Sequence, residues 1–239
     1  MAVYKIAGLT VEYDCIYNTL KQRSEKYLCN ETKADIKLRL DDNYFKLKRQ
    51  TFPDMSDELL EYMGIGTAFY KELLNFGGMM LHASAVAFDD EAYLFAAPSG
   101  TGKSTHTQKW TEVFDGAEII NDDKPAVRKI DGRYFAFGTP FSGKHDISVN
   151  SGFLVKAICF LDRGENKIES VTPEAALNPL FNLTIRPADE SKMDSLCKIV
   201  DDMLESIPFY AMHCDISEAA VKMAYNKMYT KENDCDYEN

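Results

Sequence analysis

The sequence predicts an α/β protein, and three observations predict it. Short continuous apolar runs ("MMLHASAVAF", "EAYLFAA", "AEII", "RYFAFG", "LVKAICFL") fill residues 79–161, as strands covered on both faces do. Helix-period patterns accompany them at 103–114, 173–182, 189–205 and 216–229. Between the second run and the first of these helices lies "APSGTGKST", residues 97–105, a glycine-rich turn leading from a strand into a helix.

Residues 1–76 read differently, as a small β-rich region with two short helices. "VYKIAGLTVEY", "DIKLRL" and "NYFKLKRQ" alternate apolar and polar residues with period two, as half-buried antiparallel strands do. "SDELLEYMG" offers Ser56 as a helix N-cap ahead of Glu58, Leu59, Leu60 and Met63. "GTAFYKELLNF" puts Phe69, Leu73 and Phe76 on one face of a second helix, which Gly77-Gly78 stops. A boundary after residue 76 leaves a core over 77–230, and the charged, aperiodic "KENDCDYEN" reads as a disordered tail over 231–239.

Composition narrows the partners. At 239 residues the chain can bury a sizeable core, and its 45% hydrophobic and 27% charged content is that of an ordinary globular protein. With 38 acidic and 27 basic side chains the net charge is −11, which repels nucleic acid over most of the surface. No stretch approaches the ~20 apolar residues of a membrane span. The opening "MAVYKIAGLTVEYD" has no basic segment followed by an apolar one, so no secretory signal is expected. The six cysteines form no C-x-x-C pair and no zinc-finger spacing. These features predict a reduced, cytoplasmic protein without membrane or nucleic-acid partners.

The turn at 97–105 meets the requirements of a phosphate cradle. Converging backbone N–H groups need residues that tolerate positive φ and put no Cβ against the anion, and Gly100 and Gly102 supply them. The helix that follows, "KSTHTQKWTEVF", aims its N-terminal dipole at the same place and carries Trp110, Val113 and Phe114 on an apolar stripe. Lys103 stands where it can reach β- and γ-phosphates, and Ser104 where it can ligate Mg²⁺. Ala97 replaces the usual first glycine, which is tolerable because Pro98 holds the preceding residue in extended backbone.

Three further segments could serve such a cradle. "AEIINDDKPAVR" runs an apolar strand into Asn121-Asp122-Asp123 in a βαβ layout, bringing two carboxylates beside the loop. One carboxylate can hold Mg²⁺ and the other can accept the proton of an incoming hydroxyl. Both can serve only if the strand has ended by Asp122, and Lys124-Pro125 supports an ending there. His82, in "MLHASAV", is either a satisfied core histidine or a group orienting an aspartate or a phosphate. "FGTPFSGKHD" presents Lys144 and His145, either on a mobile loop closing over phosphates or on a solvated surface turn. Residues 163–167 read as a simple hairpin turn.

Taken together, His82, the Ala97–Ser104 loop and the closely following Asp122-Asp123 resemble the catalytic domain of HPr kinase/phosphorylase. "MLHASAVA", "APSGTGKSTHT", "IINDDKPA", "GTPFSGK", "KAICFLDRG" and "PFYAMHCD" are similar to the HPr-kinase-like (serine kinase-like) proteins of Gram-positive anaerobes. The resemblance covers most of residues 1–230 and implies a P-loop kinase core of the HPr kinase/carboxykinase type. It implies an ATP- and Mg²⁺-dependent kinase that phosphorylates a hydroxyl of a protein, peptide or small molecule, serine in the parent family. The family's phosphate-binding lysine and Mg-binding serine map onto Lys103 and Ser104, its catalytic base onto Asp122, the neighbouring carboxylate onto Asp123 and its histidine onto His82. The expected catalytic set is therefore Asp122, Asp123, Lys103 and His82. Ser99, Gly100, Thr101, Gly102, Lys103, Ser104, Thr105 and Lys144 are expected to bind the nucleotide, and Ser104 and Asp123 the metal.

The departures bear on the reaction. Thr105 stands where the parent enzymes carry an acidic residue, and their downstream loop for the reverse phosphorylase reaction has no counterpart. Phosphoenolpyruvate carboxykinases share the S-G-T-G-K-[ST]-T loop, but they are much longer and build a further Lys/His metal site. A nucleotide-binding regulatory module without turnover is the alternative from another class, since binding needs the cradle and metal but no base. Parent-family enzymes are hexamers, so a homo-oligomer is a possible assembly.

Overall fold

The computed structural model describes residues 2–229, a mixed α/β structure with two sheets. The predicted tail over 231–239 lies outside the described residues. Strands β1 (Ala2–Ile6) and β2 (Leu9–Tyr13) form an antiparallel hairpin whose turn residues, Ala7 and Gly8, both have positive φ (51° and 75°). Helix α1 (Asn18–Ser24) and a 3₁₀ turn over Glu25–Tyr27 follow, and the two-residue β3 (Ile36–Lys37) pairs parallel to β2. Helices α2 (Asp42–Thr51) and α3 (Asp57–Leu73) complete the N-terminal region.

That region departs from the sequence expectation in four ways. "DIKLRL" gives only the two-residue β3, and it pairs parallel, not antiparallel. "NYFKLKRQ" is helical, not a strand. Asp41 caps α2 by accepting from the Tyr44 amide at 2.8 Å, and helix-forming Lys, Leu, Arg and Gln outweigh a short alternating pattern. The two short helices are one 17-residue α3, started by Ser56 as expected but continuing through Gly64 and Gly66. Those glycines serve packing: a Cβ at Gly64 would sit 2.6 Å from the Tyr44 hydroxyl, and one at Gly66 2.9 Å from the Phe141 ring. Helix α1 was not foreseen, because its caps come from elsewhere. The Glu61 carboxylate accepts from the Ile16 and Tyr17 amides at 2.6 and 3.0 Å, and Glu58 accepts from the Thr19 amide and hydroxyl at 2.7 Å each.

The second sheet has nine strands: β4 (Gly78–Met80), β5 (Ala83–Phe88), β6 (Glu91–Ala96), β7 (Glu118–Asn121), β8 (Ala126–Ile130), β9 (Arg133–Phe137), β10 (Gly152–Arg163), β11 (Lys167–Val171) and β12 (Phe209–Cys214). Its main path runs β4-β8-β9-β10-β6-β5-β7, and β12 pairs with the C-terminal half of β10 and with β11. Strand alternation sorts the side chains. Leu94 and Ala96 face helices α5 (Pro173–Asn182) and α6 (Glu190–Ser206), whereas Tyr93 and Phe95 face α4 (Lys103–Val113) and α7 (Glu218–Tyr229). The sheet is thus covered on both faces, as its continuous apolar runs predict. The predicted run 79–88 is broken at Leu81-His82, with β4 pairing β8 and β5 pairing β6.

A third hydrophobic cluster joins α3 and the small sheet to Met80, Ala126 and Phe141 of the larger unit. Among the described residues Cys15, Cys29, Cys159, Cys197 and Cys214 are free thiols, and no helix is long and apolar enough to cross a membrane.

Because α1 has no cap of its own, its start depends on α3. Glu61→Ala should remove the shared carboxylate acceptor of the Ile16 and Tyr17 amides and lower the unfolding free energy by about 1–3 kcal/mol in urea titrations. An unchanged midpoint and slope would show that α1 is held by packing alone.

Candidate active site

The cleft begins where β6 ends. Residues 97–102 leave the sheet and turn back into α4, with Gly100 at φ 84° and Gly102 at φ 118°. A Cβ at either glycine would meet nothing within 4 Å, so their neighbourhood is open space. The start of α4 has neither a side-chain cap nor an acidic residue in its first turn, which leaves its amide donors and dipole for a ligand. The helix is fixed from behind. Trp110 is fully buried and donates from Nε1 to His106 Nε2 at 3.1 Å, and Thr107 shares a 2.6 Å hydrogen bond with Ser84. Burial lowers the His106 pKa to about 4, so at neutral pH it is an uncharged acceptor.

Lys103 is 6% exposed and folds back over its own loop, donating to the carbonyls of Ala97 at 2.8 Å and Pro98 at 3.2 Å. Burial lowers its pKa, against the attraction of Asp123. An incoming polyphosphate could take over both donations. Ser104 is exposed at the cleft and its hydroxyl donates to the Asp122 carbonyl at 3.2 Å.

The two carboxylates face the same cleft because the strand ends at Asn121, as the sequence suggests. Buried Asn121 accepts at Oδ1 from the amides of Asp123 (3.0 Å) and Lys124 (2.7 Å), and donates from Nδ2 to the Thr139 carbonyl at 3.3 Å. The expected βαβ layout holds in direction only. β7 runs parallel to β6, but antiparallel β5 lies between them. That intervening strand puts His82, at its start, between the loop and the carboxylates. His82 Nε2 lies 3.1 Å from Asp123 Oδ1 and 3.3 Å from Lys103 Nζ, so the histidine belongs to the cleft and not to the apolar core.

The environments of the two aspartates differ in sign. Burial raises the Asp122 pKa, and the charge of Asp123 adds to it, against a 2.6 Å hydrogen bond from the Gly143 amide. Burial acts the same way on Asp123, but hydrogen bonds from His82 and Lys124 overcome it and hold the pKa at about 2. Paired carboxyl groups driven apart in this way suit separate duties, one exchanging a proton and the other staying ionised.

Gly143, Lys144, His145 and Arg163 form the rim of a cavity of about 350 Å³ whose floor is Ser99, Gly100, Gly102–Thr105, Asp122 and Asp123. Lys144 and His145 are exposed there, and the residues just before them are held, Phe141 by burial and the Ser142–Gly143 peptide by hydrogen bonds at both ends. Sequence reading missed Arg163. Residues 163–167 do not close a hairpin, since β12 lies between β10 and β11. Parallel pairing of β10 with β6 brings Arg163 to the cradle, where it donates to the carbonyls of Gly100 (2.7 Å) and Thr101 (2.9 Å). Strand direction was the available signal, because two parallel strands end on one side of a sheet. Among the described residues no group of three or more His, Cys, Asp or Glu is placed to hold a metal alone. The Ser104 hydroxyl and the aspartates are hard oxygen donors of the kind Mg²⁺ takes alongside phosphates.

No protein-family model matches this chain, and no curated protein does. Among solved structures, the HPr(Ser) kinase/phosphatase from Coxiella burnetii aligns over 64% of this chain and 99% of its own, with a TM-score of 0.35 and 11% identity. So loose a superposition says nothing about chemistry, which rests on the cleft residues themselves.

The Asp123 environment has a pH signature. Its carboxyl sits at about 2 when folded against an ordinary 3.8, so its stabilisation is complete above the unfolded value and disappears as pH falls from about 4 to 2. Melting temperature should therefore drop more steeply across that window in the wild type than in Asp123→Asn. Equal slopes would remove Asp123 from the charge network.

Proposed function

We propose that the protein is an ATP- and Mg²⁺-dependent phosphotransferase that passes the γ-phosphoryl group to a hydroxyl of a protein, peptide or small molecule. The observation that carries this reading is the pair Asp122 and Asp123, facing one cleft at the open end of a glycine cradle, with their carboxyl pKa values shifted in opposite directions. A module that only binds nucleotide has no use for a second carboxylate with a raised pKa.

In this reading the loop amides of Ser99–Gly102 and the first turn of α4 through Thr105 receive the phosphates. Lys103 exchanges its two carbonyl acceptors for phosphate oxygens, and Lys144 approaches from the rim. Ser104 and Asp123 would hold Mg²⁺, which when bound would supply positive charge to the phosphates. His82 and Lys124 keep Asp123 ionised for that duty. Asp122 takes the proton of the acceptor hydroxyl as its oxygen forms the new bond to phosphorus and the bond to the departing diphosphate breaks. With a net charge of −11 the acceptor is neither nucleic acid nor a membrane surface, and the protein acts in the cytoplasm, alone or as a homo-oligomer.

Two variants test the reading together. Lys103→Ala should weaken ATP binding or turnover severely while leaving a folded protein. Asp122→Asn should bind ATP nearly as the wild type does but lose about 10²–10⁴ in phosphoryl transfer or in slow ATP hydrolysis, the usual worth of a general base. Calorimetry and product release give the two quantities. Normal turnover by Asp122→Asn removes the base, and the absence of turnover in the wild type with every acceptor, water included, favours the regulatory binding module.

A further inference from the structure

The Gly143 amide that donates to Asp122 belongs to a peptide unit whose other end is also held. The Ser142 carbonyl, in that same unit, accepts from the Tyr62 hydroxyl at 2.6 Å and from Arg23 Nη1 at 3.0 Å. Tyr62 sits on α3 and Arg23 on α1, and neither lines the cleft. The two donors are joined to each other, since Arg23 Nη1 also donates to the Tyr62 hydroxyl at 2.9 Å and its guanidinium lies 4.8 Å from the ring centroid.

We propose that Arg23 and Tyr62 are positioning residues for Asp122, acting across the single peptide unit between Ser142 and Gly143. This rests on the reading of Asp122 as the proton acceptor.

Three features carry it. First, a peptide unit is planar, so its carbonyl and N–H point in opposite directions and cannot be oriented separately. Donors on the carbonyl therefore aim the N–H at the carboxylate, and a flipped peptide would turn an oxygen lone pair toward it instead. Donors at one end also polarise the group and strengthen the donation at the other. Second, the approach requires glycine: a Cβ at residue 143 would sit 2.8 Å from Asp122 Oδ2 and 3.0 Å from its Cγ. Third, the flanks are fixed by the same N-terminal elements. Phe141 is 1% exposed among the rings of Tyr62, Phe69 and Tyr70, and on the far side Lys26 and Tyr27 donate to the Ser148 carbonyl and hydroxyl at 2.6 and 3.1 Å. The Ser142 hydroxyl closes the turn by donating to Asp146 at 2.8 Å. Among the described residues no hydrogen bond joins Arg23 or Tyr62 to Asp122 directly, so the hydrogen-bonded route from the N-terminal helices to that carboxylate is this peptide.

The test uses the full chain labelled with ¹⁵N-glycine. In the wild type the Gly143 amide proton should resonate downfield and exchange slowly, as an N–H donating to a carboxylate does. In Tyr62→Phe/Arg23→Met it should move upfield and exchange faster, with the other glycine signals in place to show a native fold. Arg23→Lys, which keeps one cationic donor, should lie between. The kinetic counterpart is ATP hydrolysis with water as acceptor. The double variant should lose about tenfold in kcat, the worth of one hydrogen bond, with KM for ATP nearly unchanged, and should lose nothing more in an Asp122→Asn background. A Gly143 signal that ignores Tyr62 and Arg23 in the folded double variant overturns the proposal. Wild-type turnover by Asp122→Asn would instead overturn the base assignment, and the Gly143 signal would still decide whether the peptide links the N-terminal helices to that carboxylate.

Discussion

The cleft depends on one buried amide. On a regular strand Asp122 and Asp123 would point to opposite faces of the sheet, and one would be lost to the apolar layer beneath. Asn121 prevents this by accepting from two successive amides after the strand ends, while its own N–H₂ is anchored on Thr139. Thr139 is held in turn by the buried Tyr70 of α3, whose hydroxyl lies 2.9 Å away. The side-chain oxygen thus imitates a turn that the backbone alone would not choose. Everything else in the cleft presupposes this geometry, from the His82 contact with one carboxylate to the Gly143 contact with the other.

Sheet order does the rest. With β5 antiparallel between two strands that run together, the start of one strand and the ends of its neighbours share a single edge. The register Ala83↔Ala96 puts His82 against the loop, and Ala85↔Asn121 puts it within reach of Asp123. The result is a locally cationic site on an acidic protein: Lys103, Lys124, Lys144 and Arg163 surround two carboxylates in a chain of net charge −11. Such an arrangement draws an anionic ligand to one place while the remaining surface repels it.

Much of this was legible beforehand, and the reasons are local. Residues 97–105 carry their geometry in their own composition, since glycines at the bend and a helical pattern beyond them admit few conformations. Proline after Lys124 marked the strand end. The covered sheet was visible as apolar runs, and the helices at 103–113, 173–182, 190–206 and 218–229 as their periodicity. What failed was non-local. Gly64 and Gly66 look like helix breakers until Tyr44 and Phe141 are seen against them, and α1 looks like loop until Glu58 and Glu61 cap it from 39 to 45 residues away. Arg163 joins the cleft only through the parallel pairing of β10 with β6. Tyr62 was legible as part of a helix but not as a donor to a loop 80 residues distant.

The chain contains one tryptophan, and it is Trp110, fully buried on the helix that starts at the cradle. Its indole leans on Tyr93, Phe95, Phe114 and Tyr225 and is tied through His106 to the same turn of helix as Lys103. Intrinsic tryptophan emission therefore comes from a single known place, seven residues from Lys103 on the helix that starts at the glycine turn. Loosening of that helix and global unfolding can each be followed optically in the unlabelled protein.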